Sequence, residues 1–263
     1  MEIRSAEALL LDVVDLHDYD RIVTFLTREW GKKRGVAKGS RRKHSRFGGQ
    51  LQPLGKARVE WMEKDNRDLV RISSVELQSS ARRLQQDLEG LLLSAYLVDH
   101  IQEFVQEDEP SDLFFRLLDS TVQAVIEGVD RGLATRYFEA WVLRLAGVFP
   151  APESCPQCGQ MLEASGVALL ASGESMVCRA CADTVGMATK VSPQAVDFLR
   201  RIDGMKLVNL NRNCPTASTL DEVESICTKV RRSFLQHELK SYRVIRETIS
   251  GLPGNPALPT ENY

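Results

Sequence analysis

Hydrophobic and polar positions change their period once along this chain, near residue 80. Before that point the pattern is that of strands. Ala8 to Leu16 is nearly continuous apolar sequence with two valines. His17-Asp18-Tyr19-Asp20 supplies turn chemistry, and Arg21 to Thr27 is apolar and β-branched. Trp30-Gly31 punctuates the chain, and a third short run is centred on Val36. Lys56 to Glu63 alternates, with Ala57, Val59 and Trp61 on one face and Arg58, Glu60 and Met62 on the other. After a turn at Asp65-Asn66-Arg67-Asp68, Leu69 to Leu77 forms a fifth run around Val70 and Ile72. Short strands separated by turn signals every ~8–12 residues predict a small barrel or sandwich. Five strands in ~75 residues is the size of an OB-fold.

From Ala81 onward the period is helical. Leu84, Leu88, Leu91, Ala95 and Val98 predict one stripe, widened by Leu92, Ile101 and Val105. Ser111 caps a second helix carrying Leu113, Phe114, Leu117, Leu118, Val122 and Val125. A third carries Leu133, Tyr137, Trp141 and Leu145 and stops at Gly147 and Pro150. Later, Ser192-Pro193 places an N-cap before a proline at the first helical position. Thr219-Leu220-Asp221-Glu222 has the capping-box form and opens a last helix with Val223, Ile226, Cys227, Val230 and Phe234. Cys227 reads as a small core residue, and Lys229, Arg231, Arg232, Lys240 and Arg243 as a solvated polar face. The expected organisation is an OB-fold barrel over residues 1–80, then a helical domain over 81–150 and 188–250. An insert occupies 151–187, and residues 251–263 form a disordered tail.

Composition adds little until it is localised. The 263 residues carry a formal net charge of -2, 43% hydrophobic and 27% charged residues, as in an ordinary soluble protein. No apolar run approaches the ~20 residues that span a bilayer, which implies no membrane association. The N-terminus lacks the apolar region of a signal peptide, so the expected compartment is the cytosol. Against this balance, Lys32 to Arg46 contains eight Lys or Arg residues and no carboxylate: Lys32, Lys33, Arg34, Lys38, Arg41, Arg42, Lys43 and Arg46. A one-sign patch on a near-neutral protein is the footprint of a polyanion. The run falls between the third and fourth strands, and its glycines imply mobility. Aromatics nearby are candidate base platforms. Phe25 and Trp30 read as packing residues, whereas Tyr19 and Phe47, beside turn or basic residues, fit either role.

The insert holds the sharpest chemistry. Cys155-Pro-Gln-Cys158 is followed after 19 residues by Cys178-Arg-Ala-Cys181. Two Cys-x-x-Cys knuckles at this separation fit one Zn²⁺. Each knuckle aims two thiolates at one point, and four thiolates leave no open position, so the site is structural. A redox pair would want a single Cys-x-x-Cys in a βαβ setting. A DNA-cleaving enzyme is disfavoured, because no Asp and Glu cluster flanks the basic run and the four histidines are scattered. A zinc-ribbon regulator of transcription would need a recognition helix after a tight turn, and none stands out in the sequence.

Barrel, basic loop, helices, four-cysteine insert and helices, in that order, resemble the bacterial recombination-mediator family RecO. Arg21-Ile-Val-Thr-Phe-Leu-Thr-Arg-Glu-Trp-Gly-Lys32 is similar to the family's second strand and turn. Val36-Ala-Lys-Gly-Ser-Arg-Arg42 and Ser45-Arg-Phe-Gly-Gly49 are similar to its basic segment and the motif that follows. Arg136-Tyr-Phe-Glu139 and the Val230-Arg-Arg232 helix also fit. One departure is a first turn a few residues shorter than the family pattern. The resemblance implies a non-enzymatic repair factor that binds single- and double-stranded DNA, anneals complementary strands and works with RecR to load RecA. It also implies binding to the C-terminal tail of single-strand-binding protein. Under it, Lys38, Arg41, Arg42 and Arg46 contact phosphates, and Arg136 pairs with the carboxylate end of that tail.

Overall fold

The computed structural model describes residues 2–63 and 68–250. Of the turn expected at 65–68, residues 65–67 lie outside them, as does the tail after Ser250. The first five strands are β1 (Glu2–Leu16), β2 (Asp20–Thr27), β3 (Lys32–Ala37), β4 (Lys56–Glu63) and β5 (Val70–Ser79). They close a barrel in the order β1-β2-β3-β5-β4. β3 and β5 run parallel, with Gly35 opposite Val70, and β1 pairs antiparallel with both β2 and β4. β1 serves two neighbours because it is long and bends at a bulge between Leu10 and Asp12. Its hairpin with β2 is regular despite the short turn, with Leu16 opposite Asp20.

The two kinds of strand pattern have two causes. β4 alternates because one face lines the barrel interior, where Ala57, Val59 and Trp61 are wholly buried, and the other faces outward. β1 is continuously apolar from Ala8 to Leu11 because both of its faces are covered there. Ala8 and Leu10 point into the barrel core with Phe25, Trp61 and Ile72, while Leu9 and Leu11 join a second core shared with the helices. Gly31 marks the contact between the two cores. It has φ +63°, and a Cβ there would sit 2.0 Å from the Glu109 carbonyl oxygen, so only glycine fits.

The helical part comprises α1 (Leu88–Phe104), α2 (Asp112–Ile126), α3 (Arg131–Leu145), α5 (Pro193–Gly204), α6 (Leu207–Asn211), α7 (Ala217–Leu235) and α8 (Lys240–Ser250). A ribbon lies between α3 and α5: β6 (Val167–Leu170), β7 (Met176–Cys178), α4 (Arg179–Val185) and β8 (Ala188–Lys190), its strands ordered β7-β6-β8.

The expected apolar stripes are met in part. The expected α1 stripe is buried at its ends, at Leu84, Ile101 and Val105, but Leu88, Leu91 and Ala95 between them are exposed, and Leu93, Tyr96, Leu97 and His100 are buried there instead. Polar Tyr96 and His100 hid that face from an apolar-periodicity reading. In α3 the expected residues do pack, Leu133 in the core and Tyr137, Trp141 and Leu145 against it, but the helix is buried nearly all round, with Phe138 and Val142 at its centre. In α7 the helix starts three residues early, because Thr216 Oγ1 accepts from the Thr219 amide. Glu222 then caps elsewhere, accepting from the Ser192 amide at 2.7 Å. The Ser192-Pro193 start is as expected, with Ser192 Oγ accepting from the Ala195 amide. Ser111 occupies its N-cap position without a side-chain cap bond.

Candidate nucleic-acid interface and metal centre

The basic stretch divides by burial. Lys32 and Lys33 are turned inward on β3. Lys32 Nζ donates to the Gln102 carbonyl of α1 at 2.6 Å, and Lys33 Nζ pairs with Glu63 of β4 at 2.8 Å and with Asp108 beyond α1. Burial lowers the Lys32 pKa, whereas the carboxylates of Asp108 and Glu63 outweigh burial and raise that of Lys33. These two lysines hold the barrel against the helices, together with Lys56–Asp119 at 2.7 Å and Arg28–Asp112 at 2.8 Å. Arg34, Lys38, Arg41, Arg42, Lys43 and Arg46 are exposed.

Their loop folds as successive tight turns. The Arg42 amide donates to the Gly39 carbonyl, the Ser45 amide to the Arg42 carbonyl and the Gly48 amide to the Ser45 carbonyl, all at 3.0–3.1 Å. Phe47 plugs the barrel, 2% exposed, which makes it a packing residue with Arg46 lying over its ring. The loop is also bolted to the β1–β2 turn. The Arg41 amide donates to the Tyr19 carbonyl at 3.0 Å, the Gly39 amide to Asp20 Oδ1 at 2.8 Å, and Arg41 Nη1 to the His17 carbonyl at 3.1 Å. Phe25 and Trp30 pack in or against the barrel core, as expected. Tyr19 does not: it is 56% exposed, and Arg42 lies over its ring.

The ribbon brings Cys155, Cys158, Cys178 and Cys181 together, with all four Sγ atoms within 4.8 Å of one another. The first knuckle turns at Gly159, whose φ of +74° suits glycine and whose amide donates to the Cys155 carbonyl. The second begins where β7 ends and α4 starts, with Cys178 as the N-cap. Burial disfavours the Cys155 thiolate, but backbone amide donors overcome this and lower its pKa to about 6. Hydrogen bonding to Cys178 and Cys158 raises Cys181 to about 12. A divalent ion bound there would draw off the thiol protons. The four residues could hold one metal ion. The cluster is tied to the helices: Arg200 of α5 donates to the Pro152 carbonyl at 2.7 Å, and Gly173 at the β6–β7 turn abuts the Lys229 backbone of α7.

Arg136 of α3 is 8% exposed. Its guanidinium sits 3.2 Å from Glu139 and 2.9 Å from Glu224, close but poorly aligned for hydrogen bonding. Beside it is a cavity of about 330 Å³ lined by Asp130, Leu220, Asp221 and Glu224. An arriving carboxylate would have to displace Glu224 in acidic surroundings. Arg231, expected on the solvated face, is wholly buried. It donates to the Tyr96 hydroxyl at 2.8 Å and to Glu238 at 2.7 Å, while Tyr96 donates to Glu139. Glu238 follows seven residues later, but Tyr96 and Glu139 lie on α1 and α3, far from Arg231 in the sequence.

No helix among the described residues is long and apolar enough to cross a membrane.

Family comparison supplies the remaining observation. Residues 1–81 match the family model described as Recombination protein O N terminal, and residues 85–243 match Recombination protein O C terminal. The chain is similar to a DNA repair protein RecO of Anaeromyxobacter dehalogenans, 32% identical over 77% of this chain and 80% of that protein. It is likewise similar to one from Geobacter metallireducens, 30% identical over 76% and 80% of the two chains. A third, from Desulforamulus reducens, is 27% identical over 92% of this chain and 93% of its own.

Proposed function

The chain belongs to the RecO family of DNA repair proteins, and on that premise we propose that it is a non-enzymatic recombination mediator that anneals complementary DNA strands. The observation that carries this reading is the loop from Lys38 to Arg46. It presents Lys38, Arg41, Arg42, Lys43 and Arg46 to solvent with no carboxylate among them, and Arg34 is exposed on the adjoining strand. Cations of this density lower the repulsion between two phosphate backbones as they approach. They bind through counterion release, with a salt slope of roughly -0.7 per phosphate contact on single strands. Phosphate contacts carry no sequence information, which suits a protein that must act on any sequence and on single- or double-stranded DNA.

The four-cysteine site is assigned to Zn²⁺ in a structural role. Tetrahedral zinc with Zn–S of ~2.3 Å separates its sulfurs by about 3.8 Å; Cys158 and Cys178 lie 3.7 Å apart. Bound there, zinc would brace the ribbon against α5 and α7.

Cooperation with RecR in loading RecA, capture of the single-strand-binding protein tail and a cytoplasmic location come from family membership. For Arg136 the geometry favours bracing of α3 against α7. A role in tail capture requires that Glu224 give way, so Arg136→Ala should weaken tail-peptide binding only if the cavity opens.

The proposal is tested by DNA affinity as a function of salt. Replacing Arg41, Arg42 and Lys43 with Glu should weaken binding to single strands and duplex alike and flatten the salt slope. An unchanged slope would place the DNA site elsewhere.

A further inference from the structure

Tyr19 belongs to the β1–β2 turn, directly against the basic loop. It stands at the tip of the β1–β2 turn, 56% exposed, although a tyrosine ring carries a large apolar surface that folding normally covers. Its backbone is held firmly. The Tyr19 carbonyl accepts from the Arg41 amide at 3.0 Å, and the flanking His17 carbonyl and Asp20 carboxylate accept from Arg41 Nη1 and the Gly39 amide. His17 takes a left-handed φ of +52° to complete the turn. The guanidinium carbon of Arg42 lies 5.4 Å from the ring centroid. An exposed aromatic face, a cation against it and a rigid mount form the arrangement on which single-stranded bases stack.

The charges around it support a base and not a phosphate at this point. Asp15, Asp18 and Asp20 surround the turn. Asp15 is engaged by Arg21 at 3.0 Å and Arg41 at 3.5 Å, and Asp20 by the Gly39 amide. The exposed Asp18 repels a phosphate but does not oppose an uncharged base. The backbone of a bound strand would therefore run on the Arg42 side, with one base turned onto Tyr19.

We propose that Tyr19 is a base-stacking platform that favours single-stranded over double-stranded DNA, resting on the reading that the basic loop binds DNA. In a duplex the bases are already stacked and unavailable, so Tyr19 contributes nothing there. Stacking accepts every base, so no sequence preference arises.

The test uses the full chain with Tyr19→Ala and Tyr19→Phe, and three probes of equal length: oligothymidylate, an abasic strand and a duplex. Tyr19→Ala should weaken oligothymidylate binding by roughly 5- to 100-fold, leaving abasic and duplex binding unchanged. Tyr19→Phe should bind as the natural protein does. If Tyr19→Ala weakens all three probes equally, or none, the proposal is overturned. The Arg41, Arg42, Lys43 to Glu variant separates the two levels. If it retains duplex binding, the DNA reading itself fails; if it loses duplex binding while Tyr19→Ala is indifferent, only the platform fails.

Discussion

Arg231 of α7 donates to the hydroxyl of Tyr96 on α1 across 2.8 Å, in an interior where both side chains are sealed from water. The pair is the centre of a polar core that also takes in Glu139, Arg136, Glu224 and Glu238. Removing one member leaves buried charge without its partner. Arg231→Met is therefore expected to cost about 3–5 kcal/mol, read from urea unfolding. A loss under about 1 kcal/mol would mean that water reaches this core.

His100 gives that core a pH dependence. Its Nδ1–H donates to the Tyr96 carbonyl, while Nε2 is buried without a partner. Burial first, and then Arg231 and Arg136, lower its pKa to about 3; an unfolded histidine titrates near 6.5. The folded state keeps the ring neutral, so its contribution is complete above about pH 6.5 and is lost as pH falls toward 3. Glu139, raised by burial, acts in the opposite sense. The melting temperature of His100→Phe should decline less steeply between pH 6.5 and 4 than that of the natural protein. Parallel curves would contradict this.

Lys33 and Arg42 belong to the same basic run but do different work. Lys33 is buried between Glu63 and Asp108. Lys33→Met should lower stability by about 1–3 kcal/mol and leave the salt slope of DNA binding unchanged. Arg42→Gln, on the exposed loop, should leave stability unchanged and flatten the slope by roughly 0.7. Swapped outcomes would show that the division by burial is wrong.

The same contrast shows what the sequence encodes legibly. Local pattern gave the barrel strands, since β4 alternates and β1 is continuously apolar from Ala8 to Leu11, and each follows from how many faces are covered. The four cysteines were legible because both knuckles are local and their separation is characteristic. The fate of charges was not. Lys32, Lys33, Arg136 and Arg231 resemble exposed cations in sequence because their burial depends on elements far along the chain: Lys32 donates to Gln102, Lys33 pairs with Glu63, Arg136 with Glu224, and Arg231 donates to Tyr96, 135 residues before it. Tyr19 could not be told from Phe47 for the same reason: one projects from a turn and the other fills the barrel end, a difference set by tertiary closure.

Zinc should hold the helical half together. Cys155 shares its core with Leu162, Val167 and Val177, and Arg200 and Gly173 fasten the ribbon to α5 and α7. Protein prepared without chelator should contain one zinc per chain, measured by elemental analysis. Cys158→Ser with Cys181→Ser should abolish it and loosen or aggregate the helical domain, while the separately packed barrel core around Phe25 and Trp61 survives. Metal-free natural protein would contradict the assignment.

The most direct test of the central claim is annealing of complementary strands coated with single-strand-binding protein, followed across salt. The natural protein should anneal them, and a variant with Arg41, Arg42 and Lys43 changed to Glu should not. Equal annealing by both would remove the loop from Lys38 to Arg46 as the working surface and contradict the account.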